Sequence, residues 1–579
     1  MTAPATPGVH TPGSLRRLVY PLLITLAAGA VAGKILAVAR LYEPYLSRPD
    51  PGQTAAAIVL PLGASNAPEA AALLAAGYAV WKNGDPEEQR GVWPPTRPEP
   101  MPTLGDNDRS RWDTVRALVD DGTYAIGYRI ANAKDPKKYH DHGIITQDGW
   151  KTVDKVLRPG PAGERQEFFS SKPPLVATLV AGEYWLLKHA FGWSITEDSW
   201  WVARTILFTF NWLPLVLYLV LLSRLVDRLG TTDWGRLYVL AAGCLGTLLL
   251  PFSITLNNHT LAACSALFAL YPVLHIWQSR AHLASRGRQP PEEAPAEAPP
   301  EEQPMAAGGG PRGPVRVSAW SFALAGFFAA FTAAMELPAT SLAVALLFLL
   351  LWLAPRRTLF FFVPAAAVPV AAFLGTNYLA IGQLRPAYSE FGGPWYEYEG
   401  SHWKPAEPGQ EKRGIDFAQE NKAVYAFHVL LGHHGFFSLS PIFLLAAGGM
   451  AYALFLRARA AGPPQAADLE PGIPIRDSGL RGVVILTVLI SAVVVGFYIY
   501  QTHNYGGWTS GMRWLIWLTP LWLLSLLPAA DWLSTRRWGR GLAYVCLGLS
   551  VLSAHYPPWN PWRHPWLYRL LESFGWIPY

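Results

Sequence analysis

Apolar runs of about 17–25 residues recur along this chain, and its charged residues gather between them. A run of about 20 apolar residues crosses the hydrocarbon core of a bilayer as a helix. The pattern therefore predicts an all-α polytopic membrane protein. Composition agrees with the pattern. Only 15% of residues are charged, where a soluble chain carries nearer a quarter. The 25 Trp, 24 Tyr and 25 Phe fit aromatic belts at two water–lipid interfaces. The net charge of +6 suits inner-loop lysines and arginines better than a nucleic-acid site. Cys244, Cys264 and Cys546 all lie in apolar runs, with neither metal-ligand spacing nor a disulfide frame.

The first span is expected over about Leu18 to Leu41. Arg16 and Arg17 precede it and no small-residue cleavage site follows, so it reads as a retained helix rather than a signal peptide. Further runs lie at approximately 198–223, 236–252, 260–278, 317–336, 338–354, 358–381, 438–456, 482–502, 512–530 and 540–555. That makes about eleven transmembrane helices. Positive charge favours the cytoplasmic side. Starting with Arg16 and Arg17 inside, alternation also puts inside Arg224, Arg228 and Arg236, then Arg280, Arg286, Arg288, Arg312 and Arg316. Arg356 and Arg357, the group Arg457, Arg459, Arg476 and Arg481, and finally Arg536, Arg537 and Arg540 follow on the same side. Every arginine-rich connection thus falls on one face without adjustment.

The expected organisation is a cytoplasmic N-terminus (1–17), the first span (18–41), a large structured extracytoplasmic loop (42–197) and spans over 198–278. A disordered cytoplasmic linker (279–316), spans over 317–555 with an outer loop at 382–437, and an extracytoplasmic tail (556–579) complete it. Ala55 to Trp81 is apolar, but Asn66 and Glu69 sit at its middle, and a helix lying on the outer surface is the better reading. Gln289 to Gly310, rich in Pro, Glu, Ala and Gly, has little to bury. No internal repeat of the kind common in transporters is visible.

Within the first outer loop, Asp106-Asn107-Asp108 is a helix-start signal. Trp112, Val115, Leu118 and Val119 follow at helical spacing, and Gly122 is a natural stop. Asp148-Gly149, between two β-prone stretches of Gly143 to Leu157, predicts a small hairpin. Lys172-Pro173-Pro174 opens a helix from Leu175 to Phe191, since proline is tolerated in a first turn. This helix should lie on the membrane surface, or dip into it and return.

Two stretches could carry chemistry. On a helix, Asp108 and Arg111 share a face. A carboxylate beside a guanidinium stays ionised and can accept a hydroxyl proton. A capped helix with a surface ion pair is the plainer reading of the same residues. A calcium loop is excluded, because Arg111 stands where such a loop needs Gly and Ala117 where it needs Glu. The second stretch, Ser170-Ser171-Lys172-Pro173-Pro174-Leu175, puts a lysine and two hydroxyls at a helix start, where anions bind. Its plainer reading is a snorkelling lysine.

The order Asp108, Arg111, Gly122, Lys172-Pro173-Pro174-Leu175, Phe191-Gly192, Trp201-Val202-Ala203-Arg204 resembles the first outer loop of the GT-C glycosyltransferases. These use lipid-phosphate sugars, and the likeness is nearest to the protein O-mannosyltransferase and lipid A aminoarabinose transferase branch. It covers about residues 100–225. That branch often has two adjacent acids followed by Arg-Tyr. Here Asp108 is followed by Arg109-Ser110-Arg111-Trp112, and the second acid precedes it at Asp106.

The resemblance implies a plasma (inner) membrane glycosyltransferase with its active site facing outside. It would move a sugar from a polyprenyl-phosphate donor to a hydroxyl of a protein, lipid or glycan acceptor, with inversion. Asp108 would be the base, with Asp106 as fallback. Lys172, Arg111 and Arg513 would hold the donor phosphate. Asn258, His259 and Glu336 are further polar site candidates, all at outer helix ends. Lys34, Arg40, His433 and His434 lie on the same face and read as anchors or caps. No cofactor is required, and a divalent metal is left open. Membrane lipids are partners and nucleic acid is not. A transporter or flippase, or a glycan-polymer ligase using the same lipid-phosphate groove, is the alternative.

Overall fold

A computed structural model describes residues 12–37, 103–131, 139–147, 149–159, 165–286, 317–405, 407, 412, 414–418, 420–456 and 473–577. Arg40, the surface helix expected over Ala55 to Trp81, and the linker expected over 289–310 lie outside these residues.

Each of the eleven apolar runs coincides with a helical element. They are α1 (Pro12–Ala37), α4 (Ser199–Leu229), α5 (Asp233–Leu245), α6 (Asn258–Arg286), α7 (Ala319–Met335), α8 (Thr340–Leu353), α9 (Pro355–Ile381), α11 (Ile442–Phe455), α12 (Ile473–Gln501), α13 (Arg513–Ser534) and α14 (Arg537–His555). Seven of these, α1, α4, α5 with its continuation to Phe252, α6, α9, α12 and α13, are long and apolar enough to cross a membrane. The helices α7, α8 and α11 are apolar but shorter. By length and composition, then, seven spans stand among the described residues where the sequence predicts eleven. The missing length has local causes. Pro338 opens a tight turn between α7 and α8, and α14 begins with Arg537 and Arg540.

The helices α6 and α13 form the centre of the bundle and are mostly buried, whereas α1 and α9 lie at its periphery. Along α9, Leu359, Phe360, Val368 and Leu379 stand exposed. A continuous exposed apolar face of this size marks contact with lipid or a partner.

The ends that arginine alternation assigns to one side meet one another. Arg16 pairs with Asp227 and, at 2.9 Å, with Asp233. The Asp531 carboxylate accepts from the N–H groups of Thr231 and Thr232, both at 2.8 Å. Arg357 donates to the Val317 carbonyl at 2.6 Å. The opposite ends meet likewise. Asn258 donates to the Met335 carbonyl at 2.8 Å, Lys422 to Thr502 O at 3.0 Å, and the Ser510 N–H to Pro561 O at 2.9 Å.

A layer of mixed structure covers this second end. It holds α2 (Asp106–Arg116), β1 (Gly127–Ala131), β2 (Tyr139–His142), β3 (Lys155–Leu157), β4 (Gln166–Ser170), α3 (Pro174–Phe191), α10 (Lys422–Leu430) and α15 (Trp566–Ser573). As expected from the sequence, α2 starts at Asp106, and its helical path ends at Gly122 in the left-handed region (φ 68°). Buried Trp112 and Val115 hold it to the core.

The four strands form one antiparallel sheet in the order β2-β1-β4-β3. Asp148 lies outside the described residues, but the hairpin expected around it is corrected by the sheet. The strands on either side, β2 and β3, are not paired and occupy its opposite edges. Ile144, Ile145 and Trp150, which make the region look β-prone, are instead buried beside α2 in a short 3-10 turn and the loop after it. The segment from 382 onward closes over the sheet. The Leu157 N–H donates to Trp395 O at 3.0 Å, Arg129 to Glu399 O at 2.8 Å, and the Trp403 indole to Val153 O at 3.1 Å.

Candidate functional site

The sheet pairing builds the site. β3 lies along β4, with Lys155 opposite Ser170 and the Ser171 N–H donating to Asp154 O at 3.0 Å. Residues 154 and 172 are thereby brought face to face. Lys172 Nζ and Asp154 Oδ1 form a 2.8 Å ion pair whose side chains are 18% and 12% exposed. Ser110 of α2 donates to Asp154 O at 2.6 Å and lies 2.6 Å from the Ser170 hydroxyl, so helix and sheet share this point.

Arg111 points from α2 toward the helix bundle. It donates to Asn107 O at 2.7 Å, to the Asn107 side-chain oxygen, and to the Asn258 side-chain oxygen. Asn258 passes the contact on, donating at 2.7 Å to Glu336 Oε1, which also meets His259 Nδ1. Arg111, Asn258, Glu336 and His259 form one chain, buried except at the half-buried Asn258. Arg513, at the first residue of α13, lies over the Trp562 ring at 5.0 Å. Its Nε is buried without a partner, and its guanidinium makes no hydrogen bond or ion pair among the described residues.

The electrostatics follow from this crowding. Burial pulls Arg111 down to about 10, and repulsion from Arg513 adds to the shift. Burial also lowers Lys172, against the pull of Asp154. For Asp154, burial is the largest influence and acts upward. Lys172, Arg513 and Arg111 together outweigh it and hold the carboxyl below its usual range. Opposite charge wins over desolvation here because three cations act on one acid.

Asp108, the base expected from the sequence, is engaged otherwise. It is fully buried, and its two oxygens accept from the Leu104 N–H at 2.8 Å and the Gly105 N–H at 2.7 Å. It is the N3 carboxylate that closes the cap of α2. Burial pushes it up to about 6, with the two backbone donors opposing. No ion pair joins it to Arg111, which turns to the amides of Asn107 and Asn258 instead. Asp106, the fallback, is 45% exposed; it accepts from the Val153 N–H at 3.0 Å and faces Arg109 at 3.7 Å.

The structure therefore gathers Lys172, Arg111, Arg513, Asn258, His259 and Glu336, and leaves Asp106 outside. It adds Asp154, which sequence reasoning missed. No motif marks that residue, and only the pairing of β3 with β4 reveals it. Two hollows flank the start of α3. One, about the size of a water molecule, touches Arg111, Asn258, Pro173 and Leu175. The other, equally small, touches Lys172, Ser170, Thr114 and Asn377. A separate group, Glu420, His428 and His433, brings three potential metal ligands together.

No family model matches the chain, and no curated protein matches it. Similar solved structures are those of the Archaeoglobus fulgidus oligosaccharyltransferase. One, in complex with Zn and sulfate, has a TM-score of 0.38 and 10% identity over 94% of this chain and 53% of that one. Another, the archaeal oligosaccharyltransferase AglB in complex with an inhibitory peptide and a dolichol-phosphate, has a TM-score of 0.40 and 9% identity over 95% and 57%. The chain spans little more than half the length of these proteins.

Proposed function

We propose that this protein is a polytopic glycosyltransferase that passes a sugar from a polyprenyl-phosphate donor to an acceptor hydroxyl on the extracytoplasmic side, with inversion. The observation that carries this reading is a pair of buried guanidinium groups, Arg111 and Arg513, neither with a carboxylate partner among the described residues, beside the Lys172–Asp154 pair. Buried charges are normally paired, and uncompensated ones are costly. A cluster with cations to spare at the outer ends of membrane helices suits a lipid-borne phosphate. The donor phosphodiester carries one negative charge and the departing polyprenyl phosphate carries more, so these cations favour the products' side of the barrier.

Three carboxylates compete for the role of base, and their surroundings rank them. Asp154 comes first, because it is held ionised among the cations. In this reading Lys172 turns from Asp154 to the donor phosphate and frees the carboxylate. The acceptor oxygen then attacks the anomeric carbon, its proton passes to Asp154, and the bond from sugar to phosphate oxygen breaks. Asp108 comes second, since it must first release its two backbone donors. Asp106 comes third, because it stands outside the cluster. The full set of eleven spans, with the arginine-rich ends in the cytoplasm, belongs to the same proposal, as does a protein, lipid or glycan acceptor.

The test is incubation of purified protein with radiolabelled polyprenyl-phosphate sugars and a membrane extract. Label should move into one acceptor fraction and be lost with Lys172→Met. Movement of intact labelled lipid across vesicles, with no covalent transfer from any donor, would replace this reading with a flippase.

A further inference from the structure

The layer that covers the site holds a buried acid that the proposed transfer does not use. Asp113, in the third turn of α2, is fully buried. Neither of its carboxyl oxygens has a hydrogen-bond partner among the described residues. Native proteins seldom leave a buried polar group unpaired, and a lone ionised carboxylate in such a place is costly. The sequence puts two natural partners beside it. Arg109 stands four residues before Asp113 and Arg116 three residues after, so all three share a face of the helix.

Both arginines turn elsewhere. Arg109 donates to the Lys151 carbonyl and faces Asp106 at 3.7 Å, while its Nε stays buried without a partner. Arg116 donates to the Gln147 side-chain oxygen at 2.7 Å, lies over the Trp150 ring at 4.8 Å and faces Asp120 at 3.9 Å. Two guanidinium groups of α2 thus hold the loop that precedes β3. Two hydroxyls help them: Thr103 donates to Gly149 O and Thr152 to Asp106 O, both at 3.0 Å. The loop runs directly into Asp154, the partner of Lys172.

A neutral carboxyl and a charged one act oppositely at this point. A neutral Asp113 makes little claim on the arginines, which are then free for the loop. A charged one competes for both, because a carboxylate binds guanidinium more strongly than a carbonyl or an amide does. We propose that Asp113 is the trigger of a pH-sensitive clamp: protonated, it leaves Arg109 and Arg116 on the loop before β3, and ionised, it draws them back and loosens the approach to Asp154. The charged groups acting most strongly on it are Arg109, Arg116 and Lys155 of β3, which favour the ionised form, and Asp106, which opposes it. Asp120 and Lys188 of α3 are engaged with each other at 2.7 Å. Burial outweighs the three cations and holds the Asp113 carboxyl well above its ordinary value. The closed loop therefore binds the proton more tightly than the open one. Closure is favoured at low pH and is lost as pH rises through the closed-state value.

This inference does not rest on the transfer reading, because its readout is the loop itself. Hydrogen–deuterium exchange of the backbone amides from Trp150 to Leu157 is followed in full-length protein in detergent, corrected for the intrinsic rate at each pH. From about pH 5 to 9 the wild type should lose protection by up to about tenfold per unit, levelling off where the closed state has titrated. Asp113→Asn, which cannot ionise, should remove that slope. Asp108 titrates in both proteins and does not distinguish them. A wild-type loop whose protection is indifferent to pH overturns the proposal, as does an Asp113→Asn protein that keeps the wild-type slope. Should Asp113→Asn lose helical structure by circular dichroism, Arg116→Gln decides. It should loosen the loop several-fold at the acid end and little at the alkaline end, where the clamp has already let go. An equal loss at both ends rejects the clamp.

Discussion

Two polar clusters lie at the same end of the bundle, and they are built on opposite principles. Around Lys172, Arg111 and Arg513 the charges are permanent, and two guanidinium groups lack a carboxylate partner among the described residues. Around Glu420, His428 and His433 the donors are rings that stack, and the hydrogen bonds among them are local. The first arrangement leaves buried positive charge to be met from elsewhere. The second is closed by its own stacked rings and hydrogen bonds. One end of one bundle thus keeps a charged cluster and a stacked neutral one, which differ because permanent charge calls for a partner and paired rings do not.

The largest effects should come from the cationic side. Lys172→Met and Asp154→Asn are each expected to lower sugar transfer by about 10²–10³, as for loss of one electrostatic contact to a transition state. If both keep wild-type transfer rates in a radiolabel assay, the contrast between the clusters has no catalytic meaning. Next is Gly105→Ala. A Cβ there would lie 2.8 Å from the Trp562 ring, and the overpacking should cost about 1–3 kcal/mol of stability by thermal melting.

A smaller effect separates Asp108 from Asp154 by pH. Burial raises Asp108 to about 6, so its ionised form burdens the folded state above that pH. As pH falls from about 6 toward the unfolded value near 4, the folded protein takes up the proton first and gains stability. Asp108→Asn should abolish that gain while losing about 1 kcal/mol from the weakened cap. Asp154, held low, works the other way. Its contribution is present above the unfolded pKa and is lost as pH falls through the folded one. Melting curves from about pH 2 to 8 distinguish the two, and identical profiles would remove the distinction. The smallest effect is expected for Asp106→Asn, which removes a half-exposed pair worth at most about 1 kcal/mol and should leave transfer within a few-fold of wild type.

Much of this architecture is legible in the chain. Helix positions are, because length and apolarity are local properties, and all eleven runs reappear as helices. Gly122 and Pro174 mark helix ends for equally local reasons, a left-handed backbone in one case and a fixed φ in the other. What could not be read is what depends on pairing at a distance. The sheet exchanges its neighbours, so Asp148-Gly149 is no hairpin, and Asp154 meets Lys172 only through that exchange. Asp108 shows the same limit from the other side. An acid three residues inside a helix start is equally a cap and a candidate base. Its choice is made by Leu104 and Gly105, whose N–H groups have no other acceptor at that turn. That Asn258, His259 and Glu336 share one end of the bundle is legible from topology, but their link to Arg111 is not.

Trp562 touches three parts of the site at once: its ring rests on Gly105, lies under Arg513 and donates from its indole N–H to Thr255 at 3.3 Å. Ribosomal synthesis delivers residue 105 long before residue 562. The early loop must therefore wait, held by its own sheet, while every later helix enters the bilayer, and the keystone arrives near the end. A premature stop anywhere upstream would leave Arg513 without the ring it lies over and Gly105 without its cover, so a polypeptide lacking Trp562 should be inert toward lipid-bound sugars however well its first helices insert.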